Sequence, residues 1–199
     1  MTTVPAGVSD RVVTIPNLLS LLRLLALPVF VWLALIRHED GWAGLLIGVS
    51  ALSDNLDGYV ARHFGQVSRL GQLLDPIVDR LVVFTTLVVL VAAGALPWQL
   101  AVLVIARDAV LFTMMFVLRV NGYGSLPVTY LGKIGTFALV FSFPFLLIGH
   151  GANTASWLAD PATVLAWACF AWGICLYVAA AGLYVRQGVR LLRSGRSPA

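Results

Sequence analysis

Six long apolar stretches, at 17–35, 42–60, 73–93, 98–118, 129–148 and 162–184, occupy most of the chain's 199 residues. A helix needs roughly 20 apolar residues to cross a bilayer, and each stretch is close to that length. With 60% hydrophobic and 11% charged residues, the chain is too apolar for a water-soluble domain of this size. The pattern predicts an all-α integral membrane protein with six transmembrane helices. It is a single membrane-embedded domain over 1–199, with no room for a separate soluble one.

The breaks between the stretches carry turn chemistry: HEDG at 38–41, GALP at 94–97, NGYGSLP at 121–127 and GANTASWLADP at 151–161. Pro16 and Asn17 are expected to begin the first helix, and Pro97 and Pro161 suit first-turn positions. The first fifteen residues lack an apolar core closed by a small-residue cleavage site, so the first spanning helix is expected to direct insertion itself. Cys169 and Cys175 are six apart in one apolar stretch. They read as buried thiols, with neither disulfide nor zinc spacing.

The net charge of +4 does not point to nucleic acid, because the basic residues form no stripe interleaved with aromatics. They do set an orientation. With both termini inside, cytoplasmic segments hold Arg11, Arg62, Arg69, Arg119, Arg186, Arg190, Arg193 and Arg196, against Arg37 alone outside. Basic residues are retained on the cytoplasmic side during insertion, so this split predicts a multi-pass cell-membrane protein with both ends cytoplasmic. The basic tail at 186–199 lies against anionic membrane lipids of the inner leaflet, as a solvated, non-specific contact.

Nine ionisable residues remain inside the apolar stretches: Asp54, Asp57, Asp75, Asp79, Asp108, Arg23, Arg80, Arg107 and Lys133. Each costs at least ~2.5 kcal/mol in hydrocarbon. Ion pairing between helices is one account of Arg107 and Asp108, although adjacent residues do not share a helical face. Arg80 points about 100° away from Asp79 on a helix, which suits a structural pair. The other four aspartates need a different account. Asp54 and Asp57 are three apart and Asp75 and Asp79 four apart, so each pair shares a face. A short link makes their helices antiparallel neighbours.

Four carboxylates then converge at the cytoplasmic end of a helix pair, around a polar cavity, where without counter-ions they would repel one another and take up protons. Oxygen-only ligands call for a hard divalent cation, Mg2+ or Mn2+. Four carboxylates suit two ions about 3.5–4 Å apart, the arrangement that clamps phosphate oxygens during displacement. Gly58 and Gly71 let a nucleotide or diphosphate approach the helix backbone. Ala61 keeps the same face shallow, and Arg62 offers a fork-shaped cation to phosphate. Any one of these small residues alone would be packing material between membrane helices.

The stretch DNLDGYVARHFGQVSRLGQLLDPIVD reads D-x2-D-G-x2-A-R-x8-G-x3-D-x3-D. It resembles the signature of the CDP-alcohol phosphotransferase family, matching it at Asp54, Asp57, Gly58, Ala61, Arg62, Gly71, Asp75 and Asp79. The resemblance implies that the four aspartates ligate two divalent metals and that Asp79 is also the base for the acceptor hydroxyl. It further implies that Gly58, Ala61, Arg62 and Gly71 hold the CDP portion, that CMP leaves, and that the protein is a homodimer. The donor would be CDP-diacylglycerol and the acceptor a glycerol-based alcohol.

Outside the signature, TIPNLLSLLRLLALPVF and LPVTYLGKIGTFALVFSFPFLL resemble the branch that makes anionic glycerophospholipids. This branch includes phosphatidylglycerophosphate synthases and CMP-forming cardiolipin synthases. The second segment is similar to actinobacterial proteins of the cardiolipin synthase kind. It departs from the G-K-x-K-T version of many phosphatidylglycerophosphate synthases, with Gly135 in place of the second lysine. A pocket with fewer cations suits a phosphodiester lipid better than a small, doubly charged phosphate. Phosphatidylglycerol therefore leads as acceptor, with glycerol-3-phosphate behind it and inositol phosphate third. Arg23, Arg107 and Lys133 are the candidate cations for acceptor or diphosphate binding, against the plainer reading of snorkelling or structural pairing. A cation transporter would spread its acids across membrane depth, whereas here they lie near one end of their helices beside phosphate-type features.

Overall fold

The computed structural model describes the backbone of residues 8–9, 15–64, 67–123, 130–151 and 154–194, and the side chains of 20–53, 77–123, 130–151 and 154–193. Six α-helices follow the six apolar stretches: α1 (Ile15–Val31), α2 (Asp40–Phe64), α3 (Arg69–Ala92), α4 (Trp98–Val120), α5 (Tyr130–His150) and α6 (Ser156–Ser194). The end of α1 widens into a π-helical turn, Trp32–Ile36. One parallel bridge of two residues amends the all-α expectation: β1 (Val8–Ser9) pairs with β2 (Val67–Ser68). It ties the chain before α1 to the four-residue link between α2 and α3.

Two prolines sit differently from the sequence expectation. Pro97 caps α4 from outside, at φ −59° and ψ 134°. Pro161 lies inside α6, because the helix begins at Ser156 and 156–160 are helical. The Leu158 and Ala159 amides both donate to the Ala155 carbonyl at 2.9 Å, so that first turn is already closed. Lacking an N–H, Pro161 forfeits one helical bond there. With 39 residues, α6 is about 58 Å long, well beyond the roughly 30 Å of a hydrocarbon core.

Glycines set how closely the helices approach. Gly44 and Gly48 form a G-x3-G face on α2 against Pro144 of α5. A Cβ at Gly44 would lie 2.7 Å from the Pro144 carbonyl oxygen, and one at Gly48 3.3 Å from the Pro144 Cβ. Between α5 and α6 the contribution alternates. A Cβ at Gly135 would meet the Tyr177 amide nitrogen at 2.9 Å, one at Gly173 the Leu139 amide nitrogen at 2.8 Å, and one at Gly149 the Thr163 hydroxyl at 2.3 Å. Small residues are the usual means of bringing membrane helices together, since lipid offers no hydrophobic drive between them. Gly44→Val should lower the thermal stability of detergent-solubilised protein by an overpacking cost of about 1–3 kcal/mol. Gly182→Ala, whose Cβ meets nothing within 4 Å, should lower nothing. Equal melting of the two variants would remove this account of the interface.

The links at 37–39 and 93–97 meet the end of α5 at one end of the bundle. A Cβ at Gly94 would contact the His150 ring at 3.8 Å, and one at Gly151 would lie 3.2 Å from the Asp40 Cβ. Trp32, Trp42, Trp98 and Trp157 all lie at this end, 45–78% exposed, as the aromatic belt of a membrane interface requires. Elsewhere the surface is strongly apolar, with Phe112 75%, Val164 72% and Trp172 70% exposed. Three helices, Trp98–Val120, Tyr130–His150 and Ser156–Arg193, are long and apolar enough to cross a membrane by length and composition. The chain is therefore a membrane protein.

The core between the helices centres on Phe30, Leu87, Leu90, Leu147, Ala166 and Phe170. Its polar members are satisfied locally: the Thr86 hydroxyl donates to the Val82 carbonyl at 2.7 Å and the Ser142 hydroxyl to that of Leu139 at 2.6 Å. Both cysteines are free, as expected, but they are not buried. Cys169 is half-buried and Cys175 exposed.

Candidate active site

The backbone carries the signature on two unbroken helices. Asp54, Asp57, Gly58, Ala61 and Arg62 belong to α2, and Gly71, Asp75 and Asp79 to α3. The three- and four-residue spacings of the aspartates therefore keep the register that sharing a face requires. Among the described residues α1 packs against both α2 and α3, and α2 turns its Gly44–Gly48 face to α5. The side chains of 54–76 lie outside the described residues, and with them the expected polar cavity. The described geometry begins at Asp79.

Asp79 is half-exposed, and one of its carboxylate oxygens accepts a 2.9 Å hydrogen bond from Arg23 of α1. Arg23 itself is only 7% exposed. A buried guanidinium carries a large desolvation cost unless an acid meets it, so the contact anchors α1 to α3 and holds the Asp79 carboxylate in one orientation. The sequence marks Arg23 as a cation facing a phosphate or an acceptor. The structure gives its first partner as the proposed base.

Arg80, Arg107 and Asp108 form a separate cluster. Arg80 of α3 pairs with Asp108 of α4, as the 100° offset from Asp79 predicts. Arg107 reaches the other oxygen of Asp108 at 3.1 Å. Adjacent residues do not share a face, yet the long arginine side chain folds back far enough to pair with its neighbour. The Tyr177 hydroxyl of α6 also donates to Asp108. Arg107 donates to the Tyr177 carbonyl at 3.2 Å and lies with its guanidinium carbon 3.6 Å from the centroid of the tyrosine ring. Tyr177 thus completes a polar cluster that spans α3, α4 and α6, and nothing in an isolated tyrosine amid Leu176 and Val178 signals it.

Lys133 is exposed near the start of α5, 5.9 Å from the Tyr130 ring centroid. Of the three candidate cations, the structure brings only Arg23 to Asp79. Gly135 has a different reason from the one its position suggests. It is buried, and any side chain there would collide with the backbone of α6. The absent lysine reflects helix packing in this chain, and Gly135→Lys should reduce folded yield whatever the acceptor.

The sequence model of the CDP-alcohol phosphatidyltransferases matches residues 13–179, from before α1 into the middle of α6. The chain belongs to the CDP-alcohol phosphatidyltransferase family. Among similar proteins is the CMP-forming cardiolipin synthase of Streptomyces coelicolor, 46% identical over 192 residues, which cover 94% of this chain and 87% of that one. A putative cardiolipin synthase of Mycobacterium bovis is 39% identical over 194 residues, covering 95% and 89%. The CDP-diacylglycerol–glycerol-3-phosphate 3-phosphatidyltransferase of Cereibacter sphaeroides is 35% identical over 147 residues, covering 69% and 65%.

A CDP-alcohol phosphatidyltransferase is a transferase of phospholipid biosynthesis, and the family works with divalent cations. The chain's residues fit that requirement in donor chemistry. Four aspartates at helix spacing lie on two unbroken helices, and half of the Asp79 side chain is open. Among the described residues no group of three acids, histidines or cysteines could hold a metal, and three of the four aspartates fall outside them.

Proposed function

We propose that this enzyme transfers the phosphatidyl group of CDP-diacylglycerol to phosphatidylglycerol, forming cardiolipin and releasing CMP. The observation that carries the reading is the intact signature, Asp54 to Asp79, on two helices within a family match over residues 13–179. The acceptor rests on the relatives named cardiolipin synthase, whose similarity runs along almost the entire chain. The enzyme named for glycerol-3-phosphate matches a shorter part, and glycerol-3-phosphate is the second acceptor to test.

In this reading Asp54, Asp57, Asp75 and Asp79 hold two divalent cations, Mg2+ or Mn2+. When bound, such ions neutralise the oxygens of the diphosphate. Gly58, Ala61 and Gly71 leave space for the CDP portion beside the helix backbones, and Arg62 meets its phosphate oxygens. Arg23 orients the Asp79 carboxylate. Asp79 accepts the proton of the acceptor hydroxyl while that oxygen bonds to the lipid-side phosphorus. The bond from this phosphorus to the bridging oxygen breaks, and CMP departs with the electron pair.

All six helices span the cell membrane, both termini face the cytoplasm, and the protein is a homodimer. The aromatic end of the bundle lies outside and the basic end inside. In a background with Cys169 and Cys175 replaced by alanine, a cysteine at Asn153 should react with an impermeant reagent in intact cells. One at Gly195 should react only after lysis, and the reverse pattern would overturn the orientation. For the acceptor, purified protein with CDP-diacylglycerol and Mn2+ is offered phosphatidylglycerol, glycerol-3-phosphate or inositol-1-phosphate separately. Cardiolipin from phosphatidylglycerol alone is the expected product, and phosphatidylglycerophosphate would transfer the assignment to the second acceptor.

A further inference from the structure

Away from the signature helices, α4 and α6 enclose an open-sided groove of about 720 Å3, within the range of small-molecule sites. Its walls are continuous helical faces. On α4 they are Leu103, Ala106 and Val110, and on α6 Val178, Val185 and Val189. Arg186, Arg190 and Arg193 follow along the same face of α6, and no aspartate or glutamate lines the groove. Arg107 also borders it, but its guanidinium is turned to Asp108 and the Tyr177 carbonyl.

The groove is polarised along its length. Tyr177 of α6 bonds Asp108 of α4, and a Cβ at Gly188 would collide with Met114, so the two helices run in the same direction. Measured from Tyr177 along α6, Arg186 lies about 13 Å and Arg193 about 24 Å further on. The α4 wall and Val178 thus lie toward one end, and the three arginines, interleaved with Val185 and Val189, toward the other. Both helices are long and apolar enough to cross a membrane, so the open side of the groove faces lipid.

We infer that the α4–α6 groove is a binding site for one anionic phospholipid, with an acyl chain along the apolar walls and its phosphodiester against Arg186, Arg190 and Arg193. Charge complementarity selects the occupant. A neutral lipid would leave three guanidinium groups unmatched at the rim, and a soluble anion would leave the apolar walls uncovered. Guanidinium forks bind phosphate oxygens at more than one point, which separates a seated lipid from the diffuse attraction of a basic tail. Gly182 lines the groove midway and has open space where a side chain would extend. A bulky residue there would fill the groove without displacing a helix.

The test uses full-length protein in detergent without CDP-diacylglycerol, so it reads binding alone and stands independently of the acceptor assignment. Phosphatidylserine, phosphatidylcholine with the same acyl chains, and inorganic phosphate are titrated, and bound lipid is counted by native mass spectrometry. One phosphatidylserine should be retained per chain, at least about tenfold more strongly than phosphatidylcholine, and inorganic phosphate should not displace it. The triple variant Arg186→Gln/Arg190→Gln/Arg193→Gln and the single variant Gly182→Trp should each lose it. Equal retention of the two lipids would overturn the proposal, as would displacement by inorganic phosphate. Retention by Gly182→Trp would reduce the arginines to a non-specific basic surface. Dissociation of a dimer in Gly182→Trp would make the groove an interface between copies instead.

Discussion

Asp79→Asn should lower CMP release by about 10²-fold or more while CDP-diacylglycerol still binds in the presence of metal. Asparagine preserves the size of the side chain and one coordinating oxygen, but it cannot take up the acceptor proton. General-base catalysis contributes about 10²–10⁴-fold, so loss of the proton acceptor alone reaches the lower figure. The amide oxygen can still accept the Arg23 hydrogen bond seen at 2.9 Å, which keeps α1 and α3 together and makes a folded variant the expected outcome. Asp57→Asn provides the contrast. It should weaken metal binding, and added metal should restore part of its activity. Substantial turnover by Asp79→Asn, or its rescue by metal, would leave Asp79 a ligand only and place the base elsewhere.

Removal of divalent cations should abolish turnover altogether, and Mg2+ or Mn2+ should restore it. Four aspartates within 26 residues (54–79) of apolar helix cannot all remain ionised in a low-dielectric setting unless positive charge balances them. Arg23 meets one of them at Asp79, while Arg80 is engaged with Asp108. In this reading divalent cations supply that balance at the cluster. Chelated protein should therefore also be less thermally stable than protein supplied with Mg2+ or Mn2+. Full activity in chelator would remove the carboxylate-metal reading, even with the fold intact.

Much of this protein is legible in its sequence, because the bilayer restricts what an apolar chain can do. Backbone groups in hydrocarbon must be satisfied within the segment, so the six apolar stretches become six helices with bounds close to those the hydropathy suggests. The main departure is α6, which starts at Ser156. Its polar 156–160 run lies outside the apolar stretch, so hydropathy does not report its helicity. The signature was equally legible, because spacings of three and four residues have one meaning on a helix, and α2 and α3 run through them without a break.

Pairings between distant residues were not legible. Arg23 and Asp79 are 56 positions apart, and Tyr177 and Asp108 are 69 apart. Periodicity within one helix is silent about which neighbour that helix meets. Gly135 shows the same limit from the other side, since its position in the sequence suggested a missing cation and its contacts show a close approach to α6.

By itself, the sequence determined the solvent of this protein, its helices, its family and the helical spacing of its aspartates. These depend on composition and on spacings of a few residues, which local geometry converts directly into structure. Only the tertiary structure decided that Arg23 meets Asp79, that Arg107 is held by Asp108 and Tyr177, and that three arginines of α6 border a groove with α4. Helix packing depends on the shape of whole faces, and glycines such as Gly44 and Gly173 act through how near they let another backbone come.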